Sequence, residues 1–151
     1  MYKKITIQPK ISLSDLIFSY NSGEYKCSDY LYKSGRFSFF EILNIIVKHE
    51  TIKNIYIPSF ICEEVLSSIK IFNLNINYYK LDNNLNPNFD YLDKIMKPES
   101  IVVVVNYFGI KSAWGNIKKL KEKYNFITVE DNSHSLNTKN YTGYNGDFSF
   151  N

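Results

Sequence analysis

The stretch that most constrains this chain is Ile101 to Asn106, IVVVVN. Its β-branched residues favour extended backbone. Apolar side chains at successive positions require cover on both faces, which marks a strand buried between two layers. The remaining chain has to supply those layers. Residues 35–48 place Phe37, Phe40, Leu43, Ile46 and Val47 at helical spacing after Ser34 and Gly35. Residues 54–58 (NIYIP) predict a short strand stopped by Pro58, and residues 61–71 carry a helical stripe of Ile61, Val65, Leu66 and Ile69. Residues 75–81 alternate as a second strand, and residues 89–96 predict a short helix ended by Pro98. Gly109 punctuates a loop, residues 117–124 form a lysine-laced helical pattern, and residues 126–130 (FITVE) predict the next strand. Strands alternating with helices of about ten residues imply parallel βαβ units. The expected class is therefore α/β, a three-layer α/β/α arrangement with a mostly parallel sheet.

Composition narrows the functional classes. The chain has 151 residues, 44% hydrophobic and 22% charged, which suits one globular domain rather than a disordered scaffold. No linker or repeat divides it; residues 1–30 are less regular, with a partial helix expected near 12–20, and 31–151 read as the domain proper. The net charge of +3 is dispersed and carried by lysines apart from Arg36, so no nucleic-acid groove is expected. Cys27 and Cys62 have no CxxC spacing and, with two histidines, match no zinc pattern; reduced thiols in a cytoplasmic protein are the expected state. The N-terminus lacks the apolar core of a signal peptide, and the run Ile101 to Val105 is far too short to span a bilayer, so no membrane partner is expected.

In parallel sheets ligands gather beyond the carboxyl ends of the strands. Those ends carry Pro58-Ser59-Phe60, Asn106-Tyr107-Phe108-Gly109 and Asp131-Asn132-Ser133-His134. An acid such as Asp131 there can hold a cationic heterocycle or a ribose hydroxyl, or simply cap the next segment; taken alone, the cap is the commoner role. His134 alone is more often a polar loop residue than a ligand contact. Ser34-Gly35-Arg36 opens a helix, where free amides attract an anion, although Ser-Gly starts also serve capping alone. Neither a Walker loop nor GxGxxG is present.

The order of these pieces says more than any one of them. SGR opens a helix, IPSFIC follows a strand, NYFG follows the valine strand, EDNSH follows FITVE, and GDFSF comes last. This series resembles the DegT/StrS family of pyridoxal-phosphate-dependent sugar aminotransferases, with the type I aminotransferase fold, over roughly residues 31–151. The resemblance implies that Gly35, with Ser34 and Arg36, matches the turn whose backbone cradles the cofactor phosphate; Arg36 stands where a small hydroxyl residue is usual. Phe60 and Cys62 match the stretch that supplies the ring stacked on the cofactor, with Cys62 at the usual aromatic position. Asp131 matches the acid that pairs with the pyridine nitrogen of pyridoxal 5'-phosphate, and His134 the position that reaches its phenolic oxygen.

The same resemblance implies a parent that moves an amino group, usually from glutamate, onto a nucleotide-linked keto sugar for surface-polysaccharide or antibiotic-sugar assembly, working as a homodimer. The family's Schiff-base lysine follows the GD motif, whereas this chain ends at Asn151 soon after Gly146-Asp147. The chain is thus expected to be the amino-terminal portion of the large domain, without the catalytic lysine or small domain and inactive by itself. Lys139 precedes the motif and takes no catalytic role. Some family members carry histidine instead of that lysine and act as dehydratases. The alternative is a non-catalytic α/β domain binding a nucleotide or a protein partner through the same crevice.

Overall fold

The computed structural model describes residues 32–134 and 145–150. The expected partial helix near 12–20, the segment 1–30, Cys27, Lys139 and Asn151 lie outside the described residues. Five strands form one sheet: β1 (Asn54–Pro58), β2 (Asn75–Tyr79), β3 (Ser100–Val105), β4 (Ile127–Asp131) and β5 (Phe148–Phe150). All pairings are parallel, in the order β2-β1-β3-β4-β5. Among the described residues four α-helices connect or cover them: α1 (Gly35–His49), α2 (Glu63–Ile69), α3 (Phe89–Ile95) and α4 (Trp114–Tyr124).

Strand alternation sorts the core into two layers. Ile55, Ile57, Ile101, Val103 and Val129 face one side and pack with Phe39, Leu43 and Ile46 of α1 and Val65 and Ile69 of α2. Tyr56, Val102 and Val104 face the other, against Leu92 of α3 and Trp114, Ile117 and Leu120 of α4. Every residue of β3 is buried, as its sequence demands. Full burial of each such aliphatic side chain contributes about 1.5–3 kcal/mol before ordering entropy is subtracted.

Several boundaries move for local reasons. The second strand stops at Tyr79 because Asp82 accepts hydrogen bonds from the amides of Asn84 and Asn86 at 2.8 and 2.9 Å, turning the chain. The helix expected over 61–71 begins only at Glu63, since Cys62 remains extended. The helix expected from 117 begins at Trp114, whose indole packs into the second core.

Two features of this topology locate a crevice. The chain leaves β1 for β2 and then returns to β3 on the other side, so the direction of winding reverses between β1 and β3. Helix α1 ends at His49, a short link before β1 begins, so its C-terminus lies at the amino edge of the sheet and its N-terminus at the carboxyl edge. The ring of Phe39, one turn into α1, lies 5.2 Å from that of Phe150, which sits opposite Asp131 in the ladder.

The GD sequence is tied down by packing and hydrogen bonds. A Cβ on Gly146 would lie 2.7 Å from the Phe148 carbonyl oxygen and 3.1 Å from the Glu130 Cβ, so a larger residue forces the backbone to move. The Asp147 carboxylate accepts from the Thr128 amide and hydroxyl, both at 2.7 Å, and pairs with Lys121. Burial pushes this carboxyl up, but the Lys121 and Thr128 hydrogen bonds outweigh it and hold Asp147 below its ordinary value. A depressed carboxylate pKa stabilises the fold above the unfolded-state value and loses that contribution as pH falls through the folded value. Denaturation midpoints should therefore decline on acidification below about pH 4, and Asp147→Asn should flatten that decline. Identical acid limbs for the two proteins would contradict this assignment.

Candidate functional site

Asp131 is the last residue of β4 and only 6% exposed. It has the strand parity of Val129, so it belongs to the α1 face of the sheet. One carboxylate oxygen accepts from the Ser133 amide at 2.9 Å, a local turn of the capping kind. No hydrogen bond from a described residue reaches the other oxygen. Two phenols lie within its electrostatic reach, and neither donates to it. Tyr79 donates to the Val103 carbonyl at 2.8 Å, and Tyr107 donates to the Phe60 carbonyl. Burial foremost, then the neighbouring Tyr107 and Asp131, push the Tyr79 phenol far up; burial and then Asp131 do the same to Tyr107. Both phenols therefore stay protonated at neutral pH.

Rings collect beside this acid. Phe60 stacks on Tyr107 with centroids 5.7 Å apart and planes 25° from parallel. Tyr107 meets His134 edge-on at 5.9 Å, and Phe108 lies 5.7 Å from the same imidazole. His134 Nδ1 accepts from the Phe108 amide at 3.5 Å, which assigns the ring proton of the neutral form to Nε2. Phe108 adopts φ 55° and ψ 25°, the left-handed region, and Gly109 follows at φ 75°. A non-glycine residue there costs about 1–3 kcal/mol, so its neighbours must hold it. Phe60 and Phe108 remain 59% and 69% exposed, leaving ring faces open to a planar ligand.

The N-terminus of α1 meets the same edge and the same face. Ser34 caps it in extended conformation without a side-chain hydrogen bond, and its first turn holds no acid. The Phe37 and Ser38 amides turn back to the Ser34 carbonyl, whereas the amides of Gly35 and Arg36 bond to no described residue. Such an end favours an anion. The Arg36 guanidinium lies over Phe37, 5.4 Å from the ring centre, so it adds positive charge at the helix entrance. The N-terminus of α2 differs, because Glu63 and Glu64 already occupy its first turn.

The structure thus brings Ser34, Gly35, Arg36, Phe60, Asp131 and His134 to one edge of the sheet. Cys62 is exposed and caps α2 in extended conformation, two residues beyond the Phe60 ring that packs on Tyr107. Sequence reasoning missed two residues behind the site. Asn106 and Glu130 are both 0% exposed and hydrogen-bond to each other at 2.7 Å. An acid inside an otherwise apolar strand was the available signal, since a buried charge must find partners. Tyr107 and Phe108 were present only as part of a loop motif, without roles. Among the described residues, no group of three or more His, Cys, Asp and Glu could hold a metal ion. No helix among them is long and apolar enough to cross a membrane.

Comparison with known proteins gives the fold a context. No protein-family model and no curated protein sequence matches the chain. Solved structures do. A Streptococcus pneumoniae protein described as a sugar aminotransferase, in its PLP form, superposes with a TM-score of 0.66 at 14% identity, over 77% of this chain and 34% of that one. The GDP-4-keto-6-deoxy-D-mannose-3-dehydratase of E. coli, with bound hydrated PLP, gives 0.62 at 17% identity over 78% and 31%. Tyrosine aminotransferase from Leishmania infantum gives 0.55 at 12% identity over 66% and 29%. The chain spans about a third of the length of these structures. At such identities the likeness establishes the fold, and the chain has the parallel α/β architecture of the type I PLP-dependent aminotransferases.

Proposed function

We propose that this chain is the amino-terminal portion of the cofactor domain of a DegT/StrS-type, pyridoxal-phosphate-dependent enzyme that transfers an amino group to a nucleotide-linked keto sugar. The observation that carries the reading is Asp131, a buried carboxylate with an oxygen that no described residue bonds, on the same sheet face and edge as the uncapped start of α1. Two of the similar structures, a sugar aminotransferase and a keto-sugar dehydratase, are in PLP-containing forms, which supports the cofactor class. The residues present fit that group. Its phosphate is a dianion suited to the free Gly35 and Arg36 amides, with Ser34 and Arg36 beside them. Its ring nitrogen is a base that a buried carboxylate keeps protonated. Bound there, the cofactor supplies an electron sink for the substrate carbon next to nitrogen.

Each of this chain's residues then has a task. Asp131 holds a proton on the ring nitrogen through the oxygen that does not bond Ser133. Phe60 offers an exposed face to the ring, and Tyr107 braces Phe60 from behind through stacking and its hydroxyl. His134 presents Nε2–H as a donor to the ring oxygen. Amino transfer as against dehydration, the glutamate donor, homodimer assembly and a cytoplasmic location belong to the same proposal.

Pyridoxamine 5'-phosphate tests the reading, because it carries the ring and phosphate but no aldehyde to react with surface lysines. Titrated into the full chain, it should shift the amide resonances of Gly35, Arg36, Phe60 and Asp131 to His134 together. Shifts confined to the lysine-rich surface of α4 would overturn the proposal.

A further inference from the structure

Among the described residues the Asp131 side chain has one hydrogen-bond partner, the Ser133 amide, yet the residues on either side of it are held firmly. The amide of Asn106 donates to the Asp131 carbonyl at 3.0 Å. The Asn106 Nδ2 donates to a Glu130 carboxylate oxygen and to Asn132 Oδ1, each at 2.7 Å. One residue therefore bonds positions 130, 131 and 132. Its remaining acceptor, Oδ1, takes the Ser112 amide at 2.9 Å and closes the loop that carries Tyr107 and Phe108. Glu130 extends the hold to the approach of β5, accepting from the Asn145 and Gly146 amides at 3.0 and 3.3 Å.

We propose that Asn106 is a positioning residue that fixes the direction of the Asp131 carboxylate and the placement of the Tyr107–Phe108 loop as one unit. The geometry assigns this role to the asparagine side chain specifically. An acceptor is needed toward the Ser112 amide, and a donor is needed toward both the Glu130 carboxylate and Asn132 Oδ1. Aspartate lacks the donor and would set a second carboxylate against Glu130. Leucine satisfies nothing and strands three buried polar partners. Because β3 carries Asn106 and β4 carries Asp131, the clamp spans adjacent strands and cannot be replaced by a local turn. Its importance for cofactor binding rests on the reading of Asp131 given above, while the clamp itself can be measured without any cofactor.

Amide hydrogen exchange on the full chain separates these levels. The Ser133 amide reports the Asp131 side chain, the Ser112 amide reports the loop, and the Val103 and Val129 amides report the sheet. In Asn106→Ala, Ser112 and Ser133 should both exchange about fivefold to tenfold faster relative to the Val103 and Val129 amides, as expected for loss of a net hydrogen bond. Unchanged Ser133 exchange beside accelerated Ser112 would overturn the proposal, because Asn106 would then hold the loop and not the acid. If Asn106→Ala fails to fold, Asn106→Asp and the paired Asn106→Asp/Glu130→Gln variant decide. The pair exchanges donor and acceptor at constant charge and, with the Asn132 amide turned over, restores the side-chain bonds that join positions 106, 112, 130 and 132. Recovery of Ser112 and Ser133 protection in the pair relative to Asn106→Asp supports the clamp, and no recovery refutes it. Failure of pyridoxamine 5'-phosphate to bind the unaltered chain refutes the cofactor reading alone.

Discussion

Glu130→Ala should lower folding stability by about 2–5 kcal/mol in chemical denaturation, because it leaves several buried donors without an acceptor. Its carboxylate is fully buried and accepts from Asn106 Nδ2 and from the Asn145 and Gly146 amides. Among the described residues no cation pairs with it; these N–H groups carry the compensation that a buried carboxylate requires. Truncation removes the acceptor while keeping the donors, and each unsatisfied donor costs about 1–3 kcal/mol. Single domains are stable by only about 5–15 kcal/mol, so this one change would consume much of the margin. Glu130→Gln keeps the volume and one acceptor oxygen, and should lose roughly half as much. A loss below about 1 kcal/mol for Glu130→Ala would mean that the carboxylate does not organise the end of β4.

Much of the architecture was legible because its physics is periodic. The valine run of β3 left no alternative to a strand covered on both faces. The stripe expected on α1 was only half right: Leu43 and Ile46 meet the sheet, but the third buried residue is Phe39, while Phe37 and Val47 stay exposed. Boundaries were less legible where a side chain rather than periodicity ends an element, as Asp82 does after β2. The site divided in the same way. Asp131, His134 and the Ser34-Gly35-Arg36 turn could be found because strand ends and helix starts are marked by residue type. Asn106 and Glu130 could not be found as a pair, since their hydrogen bond joins positions 24 apart and exists only once β3 and β4 lie side by side. The Phe60–Tyr107 stack was hidden for the same reason, being made across the reversal point between β1 and β3.

Removing the acid itself should produce the largest effect on ligand binding. A largely buried carboxylate facing a protonated ring nitrogen contributes a charge-assisted hydrogen bond of about 1.5–3 kcal/mol. Asp131→Ala should therefore weaken pyridoxamine 5'-phosphate by about tenfold to a hundredfold, with the fold retained because, among the described residues, the Ser133 turn is the only side-chain hydrogen bond given up. The phosphate contribution from the start of α1 should persist in that variant, since it comes from backbone amides of Gly35 and Arg36.

The most direct measurement is the nitrogen-15 resonance of ring-labelled pyridoxamine 5'-phosphate bound to the full chain, recorded at a pH where the free ligand has lost its ring proton. A nitrogen that stays protonated on the unaltered chain and becomes unprotonated on Asp131→Ala is the predicted outcome. The same unprotonated signal on both proteins would contradict the account.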